Sequence, residues 1–439
     1  MLDKVIGYLL LSVTLFVVSC GQAAQPPRNN SQVDSILPRV DSTGGAVTDR
    51  ERERYAVIIG QFFDPMLAGR FNGSILVAKK GVILYERYKG FKDFARKKDS
   101  FNLHTAIHLA SVSKTFTAMS TLKLWQDGKL DIHDPVNKYL TGFPYPAVTI
   151  ETLLSHRSGL HNYVHFMFKP FVDKHKFLSN GDVLQYIIAH SGDRDVYTGQ
   201  SGKHFEYSNT NYALLALIIE KVSGMTYAEF LTKTFFQPLQ MQDTYVYNQS
   251  DTGATQSYYQ TGRPFRMEMF DLVYGDKNVY STVRDMYKWD QALRYGQLFT
   301  KGVLDSAYAG YSFEKPGQRN YGLGWRMLIL PNGKKLIYHN GWWHGNRTVF
   351  VRMLDEDATI IALTNDDYKN VYSSKRLSDL FGDYRQSHAA FDEGEVDTEG
   401  KGGEPAPTTD TIPATPAPVK PTPVKKKVVH HKKKKHTTS

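Results

Sequence analysis

The chain has 439 residues, of which 41% are hydrophobic and 13% aromatic, so it can bury a sizeable core and is not disordered overall. Its single cysteine, Cys20, excludes an intrachain disulfide framework and a cysteine-based zinc cluster. The formal net charge is +10, but the stretch from Lys420 to Lys435 holds eight lysines and no acidic residue. The globular part is therefore close to neutral, and the basic character belongs to the C-terminus.

The N-terminus has the pattern of an export signal. The apolar run "VIGYLLLSVTLFVV" (residues 5–18) is short for a bilayer span but suits a signal peptide, which we expect over 1–19. The following "VVSC" (residues 17–20) resembles a bacterial lipobox. We therefore expect an exported lipoprotein anchored in a membrane of the bacterial cell envelope through lipidated Cys20, with the leaflet left open. The alternatives are an ordinary signal peptide with an incidental cysteine and a short anchor.

Residues 20–49 have the Gln-, Asn-, Pro- and Ser-rich composition of a flexible tether, and periodic sequence begins near residue 50. The stretch 52–67 predicts a helix, and 73–90 predicts a hairpin. The middle of the chain, about 113–320, is mostly helix and loop. Two further strand pairs (326–343 and 346–365) and a closing helix (373–386) follow. Strands at both ends of the region 50–388 predict an α/β (α+β) three-layer sandwich, in which helices flank an antiparallel sheet and a mostly helical region is inserted.

The C-terminal segment 389–439 is predicted to be disordered, because it is acidic, then Pro/Thr-rich, then Lys-rich. In an exported protein, an anionic envelope polymer or lipid headgroups are better partners for its lysines than nucleic acid. The alternative is a solvated spacer. The tail histidines His430, His431 and His436 bind metal at most adventitiously.

The stretch "LASVSKTFT" (residues 109–117) raises the first question of chemistry. Ser111 lies at or just before the start of a helix, and Lys114 is one turn away on the same face. A serine is a poor nucleophile unless a neighbour takes its proton, and a desolvated lysine can do so. The alternative is that Ser111 only caps the helix.

The second segment, "FEYSNTNYALLALIIEKVSG", places Tyr207 and Asn209 two residues apart before an apolar helix. In an extended loop, both side chains point to one side. The alternative is that Asn209 or Ser208 caps the helix and Tyr207 is a packing aromatic.

The third segment is "YHNGWWHGNRT". Asn340-Gly341 has the composition of a two-residue turn, but a turn at 331–334 already closes this strand pair. We therefore predict that His339 to Trp342 end a strand, with Gly341 allowing close approach of a ligand.

These three motifs, in this order, resemble those of the penicillin-recognising serine hydrolases related to β-lactamases. The branch is that of class C β-lactamases, D-alanyl-D-alanine carboxypeptidases and related esterases. The resemblance spans roughly residues 53–385. It also covers stretches such as "GSILVAKKG", "TLLSHRSGLHNY", "GDKNVYSTVRDMYKWDQAL" and "YGLGWRM".

The resemblance implies acyl transfer through an acyl-enzyme formed at Ser111. Tyr207, paired with Lys114, would take and relay the proton. The backbone N–H groups of Ser111 and Trp342 would form the oxyanion hole beside Gly341, and Asn209 would orient the substrate or Lys114. No metal or cofactor is implied.

One departure concerns His339, which stands where β-lactamases commonly carry lysine. A neutral imidazole is a weaker anchor for a carboxylate, so we expect an esterase or a peptidase/amidase rather than an efficient β-lactamase. His156, His161 and His344 are candidates for lining the cleft, with structural roles as the alternative. The main alternative function is that of a non-catalytic envelope protein that binds cell-wall peptide or polymer. A second, weaker alternative is an acyltransferase.

Overall fold

The computed structural model describes residues 46–171, 176–295, 298–314 and 317–386. The predicted signal peptide, Cys20, most of the tether and the Lys-rich tail lie outside these residues. Within them, no helix has both the length and the apolar character needed to cross a bilayer.

A seven-stranded antiparallel sheet forms the centre of the domain, in the order β2-β1-β12-β11-β10-β9-β8. Its strands are β1 (Gly73–Lys79), β2 (Val82–Lys89), β8 (Arg319–Tyr321), β9 (Arg326–Ile329), β10 (Lys335–Trp343), β11 (Asn346–Met353) and β12 (Ala358–Thr364). Of the strands in the described residues, the first pairs with the last, from Gly73 opposite Thr364 to Lys79 opposite Ala358. The sheet is thus built from both ends of the domain, which confirms the predicted fold class.

One face of the sheet packs against the terminal helices. Helix α1 (Asp49–Ala68) begins with a capping box in which Thr48 and Glu51 satisfy each other's backbone N–H groups. It buries Ile59, Phe63 and Met66 against the sheet. The predicted closing helix is present and is of the 3₁₀ type, but it runs over Lys369–Leu380, so the predicted bounds of 373–386 lie several residues too late. Serine hydroxyls there bond backbone carbonyls three residues back, which competes with α-helical pairing.

The opposite face packs against a larger helical layer. Its helices are α2 (Ser113–Gln126), α3 (Ile150–Leu154), α4 (Tyr163–Phe166), α5 (Phe168–Phe171), α6 (Asn180–Ala189), α7 (Asn209–Ser223), α8 (Tyr227–Leu231), α9 (Val283–Arg294) and α10 (Lys301–Ala307), with a π-helical turn at Thr232–Phe236. Helix α2 is buried on nearly every side, and its Phe116 stacks on Trp289 of α9. The middle of the chain is therefore the helical region that its pattern predicts.

Besides β8 of the central sheet, five short strands of the described residues, before and within the helical region, were not predicted. They are β3 (Phe91–Asp93), β4 (Lys98–Ser100), β5 (Ile107–His108), β6 (Tyr245–Val246) and β7 (Val279–Ser281). Strand β7 pairs with both β5 and β6. Two- and three-residue strands are too short to show an alternating pattern, but β5 leads directly to Ser111 and therefore positions the candidate site.

Candidate active site

Ser111 lies in a 3₁₀ turn (Ala110–Val112) between β5 and α2, and it is buried. Neither this turn nor α2 is capped by a side-chain hydrogen bond, so a capping role does not account for the serine. The preceding Ala110 has a φ of +49°, a left-handed conformation that is unfavourable for a residue with a Cβ. The turn thus holds Ser111 at the start of a helix, where free N–H groups favour negative charge.

Lys114 is fully buried one turn after Ser111. Its Nζ atom lies 3.0 Å from Ser111 Oγ and donates a 2.8 Å hydrogen bond to the backbone carbonyl of Asp276. The amine is therefore held within proton-transfer distance of the hydroxyl.

Tyr207 brings the second motif to the same place. It lies just before α7 and is nearly buried, and the centroid of its ring is 5.0 Å from Lys114 Nζ. The ring of His156 packs against it at 4.2 Å between centroids. Ser111, Lys114 and Tyr207, which are far apart in sequence, thus form one cluster.

Asn209 is the first residue of α7, with Ser208 at the N-cap position but without a side-chain capping bond. Its Oδ1 atom is buried and receives no hydrogen bond from the described residues. A buried acceptor without a partner is unfavourable, so this oxygen is suited to accept an N–H from a substrate amide.

His339 lies on β10 and is fully buried. Its Nδ1 atom is 2.7 Å from the carbonyl oxygen of Asn340, which can only accept, so Nδ1 carries the proton and Nε2 accepts from the hydroxyl of Tyr321 at 3.1 Å. Burial, followed by the nearby charges of Arg326 and Lys114, holds the pKa of His339 well below its usual range. The third motif therefore begins with a neutral ring.

Gly341 is in close contact with the turn that carries Ser111. A Cβ at this position would lie 2.4 Å from the carbonyl oxygen of Leu109 and 2.3 Å from Oγ1 of Thr348. Thr348, opposite Gly341 on β11, donates a 2.7 Å hydrogen bond to that same carbonyl of Leu109. The absence of a side chain thus lets the strand and the serine turn pack together.

Trp342 follows on β10, where side chains alternate between the two faces of the sheet. Its indole is packed on the face with the terminal helices and carries Arg347 over its ring at 4.1 Å. Strand β9 pairs with β10 only over Lys335–Tyr338, so within the described residues the rest of this edge has no strand partner. That open edge is compatible with an oxyanion site, and the contribution of the Trp342 N–H remains a prediction.

Two features of the site were not identified from the sequence. Arg326, on β9, is nearly buried, and its guanidinium lies over the Tyr207 ring. The segment 276–279 holds the serine turn: besides the Asp276 carbonyl on Lys114, Val279 O accepts from Leu109 N at 2.8 Å and Val279 N donates to Ser113 Oγ at 3.1 Å. The sequence offered one signal for Arg326, which is that a charged residue interrupts the apolar stretch "GWRML".

The other candidate histidines have distinct positions. His156 forms the buried wall behind Tyr207, and burial together with Lys114 and Arg326 lowers its pKa well below the usual range. His161 pairs with Glu206 at 2.6 Å and is partly exposed.

His344 belongs to a cluster with Glu268 and Asp271 whose potential ligand atoms lie within 4.8 Å of one another. Asp271 already accepts hydrogen bonds from His344 at 2.9 Å and from the Trp343 indole at 2.8 Å. Asp271 is therefore held between the His344 ring and the Trp343 indole.

Comparison with known proteins supports the same family. The family model described as Beta-lactamase matches residues 59–379. The chain is 32% identical over 325 residues to Penicillin-binding protein 4* of Bacillus subtilis (strain 168), covering 70% of this chain and 71% of that protein. It is 28% identical over 260 residues to the teichoic acid D-alanine hydrolase of Staphylococcus aureus (strain NCTC 8325 / PS 47), covering 57% of this chain and 62% of that protein.

The fold is similar to that of a solved penicillin binding protein from Bacillus halodurans. The TM-score is 0.63 at 21% sequence identity, and the match covers 74% of this chain and 98% of that one.

Proposed function

Because the chain belongs to the Beta-lactamase family, we propose that it is a cell-envelope serine hydrolase that cleaves an ester or amide bond through an acyl-enzyme at Ser111. The observation that carries the proposal is the 3.0 Å contact between Lys114 Nζ and Ser111 Oγ in a buried site beside Tyr207. A nucleophile, a proton acceptor and a phenol next to both are the groups that acyl transfer requires.

In the proposed reaction, Ser111 Oγ attacks the substrate carbonyl and its proton passes to the Lys114–Tyr207 pair. The same pair returns the proton to the leaving alcohol or amine. Negative charge that develops on the carbonyl oxygen is stabilised by the N–H groups of Ser111 and Trp342, and one such donor is typically worth roughly 100- to 1000-fold in rate. Water then attacks the acyl carbon and gives a proton to the same pair, the bond between Oγ and the acyl carbon breaks, and the pair returns the proton to Ser111 Oγ as the acid is released.

For the substrate we propose a D-alanyl ester or a D-alanyl peptide. The buried acceptor of Asn209 suits an amide N–H, and Arg326 supplies a cation for a carboxylate or another anionic group. Arg326 supplies the positive charge that a lysine at position 339 would have given. The site can therefore bind a carboxylate although His339 is neutral. The similarity to a teichoic acid D-alanine hydrolase supports a D-alanyl substrate, and the similarity to a penicillin-binding protein supports a site that accepts penicillin.

For location we propose membrane attachment through a lipid on Cys20, with the Lys-rich tail contacting an anionic envelope polymer. Incorporation of a labelled fatty acid into the wild-type chain but not into Cys20→Ala is the expected result. Equal incorporation into both chains would contradict the lipoprotein proposal.

The proposed function is tested by intact mass after brief exposure of the full chain to a fluorophosphonate and, separately, to a penicillin. We expect one fluorophosphonate adduct per chain and none in Ser111→Ala. The matched control is Ser120→Ala, because Ser120 is a second buried serine, it lies on α2, and its hydroxyl has no hydrogen-bond partner among the described residues. It should be labelled like the wild type.

The second part of the test is release of D-alanine from a D-alanyl ester and from a D-alanyl-D-alanine peptide. Turnover of either identifies the substrate class, and an added amine or alcohol acceptor separates transfer from hydrolysis. A folded wild-type chain that gives no adduct and no turnover would favour the non-catalytic binding protein.

A further inference from the structure

The residue before the candidate nucleophile is held by an unusual partner. Ala110 has a left-handed backbone, and its N–H donates a 3.0 Å hydrogen bond to Nδ1 of His108, two residues earlier on β5. A conformation of this kind persists only where the surroundings stabilise it. The side chain of His108 is thus one of the groups that hold the turn carrying Ser111.

The tautomer of His108 follows from the next contact. Its Nε2 atom is 3.0 Å from Oδ1 of Asn278. The Asn278 amide is oriented without ambiguity, because its Nδ2 donates to the backbone carbonyls of Asp271 at 2.7 Å and Val273 at 3.1 Å. Oδ1 therefore faces the ring, Nε2 carries the proton, and Nδ1 is a bare acceptor for the N–H of Ala110.

The environment keeps this ring neutral and immobile. His108 is buried, and its ring meets the ring of Tyr280 edge-on at 5.0 Å between centroids. Burial lowers the pKa of His108 to about 4 despite the hydrogen bond that its Nε2 donates to Asn278. The charged groups that act on it are Asp271, which raises the pKa, and Lys277 and His344, which lower it.

We propose that His108 is a positioning residue whose ring, oriented by Asn278, holds the Ala110 N–H and thereby aims the Ser111 hydroxyl and N–H into the cleft. The inference rests on the proposed function, because aiming Ser111 matters only if Ser111 is the nucleophile. The short segment 276–278 then positions both the proton acceptor and the nucleophile. The Asp276 carbonyl holds Lys114, and the Asn278 side chain holds His108, which in turn holds the turn of Ser111.

The first test reads the tautomer and does not depend on activity. Nitrogen NMR of histidine-labelled full chain should show a His108 ring with the proton on Nε2 and a bare Nδ1, assigned by the signal that disappears in His108→Phe. In Asn278→Gly, which keeps a backbone that tolerates φ +77°, the ring should populate both tautomers. A wild-type ring protonated at Nδ1 would overturn the proposal.

The second test measures the rate of fluorophosphonate labelling. His108→Phe keeps a ring against Tyr280 but has no acceptor, and we expect labelling slower by roughly 10- to 100-fold. His108→Asn keeps an acceptor at the position of Nδ1, and it should recover to within about fivefold of wild type. The labelling rate of Asn278→Gly should lie between those of His108→Phe and His108→Asn. This variant also tests the proposal if His108→Phe does not fold.

The outcomes separate this inference from the proposed function. A wild-type chain that is not labelled at Ser111 would overturn the proposed function, and the positioning role with it. A labelled wild type together with equal labelling of folded His108→Phe would overturn the positioning role alone. Equal losses in His108→Phe and His108→Asn would do the same, because the acceptor would then not be the feature that matters.

Discussion

The guanidinium of Arg326 lies over the ring of Tyr207, with 4.7 Å between its Cζ atom and the ring centroid. Lys114 Nζ is 5.0 Å from the same centroid, so two basic side chains lie close to one phenol. Positive charge beside a phenol favours its ionised form and also attracts anionic substrates. The site therefore keeps a strong positive character although its third motif begins with a neutral histidine.

Replacement of this cation should change substrate preference. In Arg326→Gln we expect kcat/KM for a peptide ending in a free carboxylate to fall by about 10- to 100-fold, the value of one charge-assisted hydrogen bond. The same peptide with an amidated end should lose less than about threefold. Arg319→Gln, at an exposed position on β8, is the matched control and should leave both values unchanged. Equal losses for the two peptides would show that Arg326 does not recognise the carboxylate.

The phenol itself can be tested by removing one oxygen. Tyr207→Phe should lower kcat by about 100- to 10,000-fold, which is the usual contribution of a positioned acid–base group. The ring packing on His156 remains, so the unfolding temperature should change little. Steady-state kinetics and a thermal melt measure the two effects. A variant with normal kcat would assign the proton transfer to Lys114 alone.

Gly341→Ala tests the contact between β10 and the serine turn. Its Cβ would overlap the Leu109 carbonyl and the Thr348 hydroxyl, and overpacking of this kind costs about 1–3 kcal/mol of stability. We expect the rate of acylation to fall by more than the loss of stability alone would explain, because the displaced group is the turn that carries Ser111. Gly192→Ala is the matched control, since a Cβ there meets no heavy atom within 4 Å. Denaturant melts and fluorophosphonate labelling rates give the comparison, and a fully active, stable Gly341→Ala would contradict the packing argument.

Asp366 predicts a pH dependence of stability. This carboxyl is buried after β12, and burial raises its pKa from 3.8 to about 6, opposed by the Thr364 hydroxyl and Arg70. A folded-state pKa above the unfolded one means that the group's contribution is fully present below pH 3.8 and is lost as the pH rises through 6.

Asp366→Asn should therefore stabilise the domain at pH 8 by roughly 2–3 kcal/mol and have much less effect near pH 4. Urea melts of both chains from pH 4 to 8 measure this difference. A variant that is equally or less stable than wild type at pH 8 would show that the carboxylate is better paired than its burial implies.

Much of the fold could be predicted because its signals are local. Helix α1 and the strands of the central sheet other than β8 each carry their pattern within a few residues, and the paired turns define the hairpins. The 3₁₀ type of the closing helix could not be predicted from its apolar spacing, because side-chain bonds of its serines compete with α-helical pairing.

The supporting residues of the site could not be predicted in this way. The bond between Lys114 and the Asp276 carbonyl joins residues 162 positions apart, and the His108–Asn278 bond joins residues 170 positions apart. A carbonyl or an asparagine carries no motif of its own, so only the packing of β5 against β7 shows what these residues do.

The pairing of β1 with β12 has a consequence for synthesis. Lys79 and Ala358 are neighbours in the sheet, yet they are 279 positions apart in the chain. At about 5–20 residues per second, a ribosome needs on the order of 15–60 s between making the first of these strands and the second. The hairpin of β1 and β2 lacks its partner strand β12 throughout that time. A chain that stops before residue 358 lacks a strand from the middle of its sheet rather than from its edge.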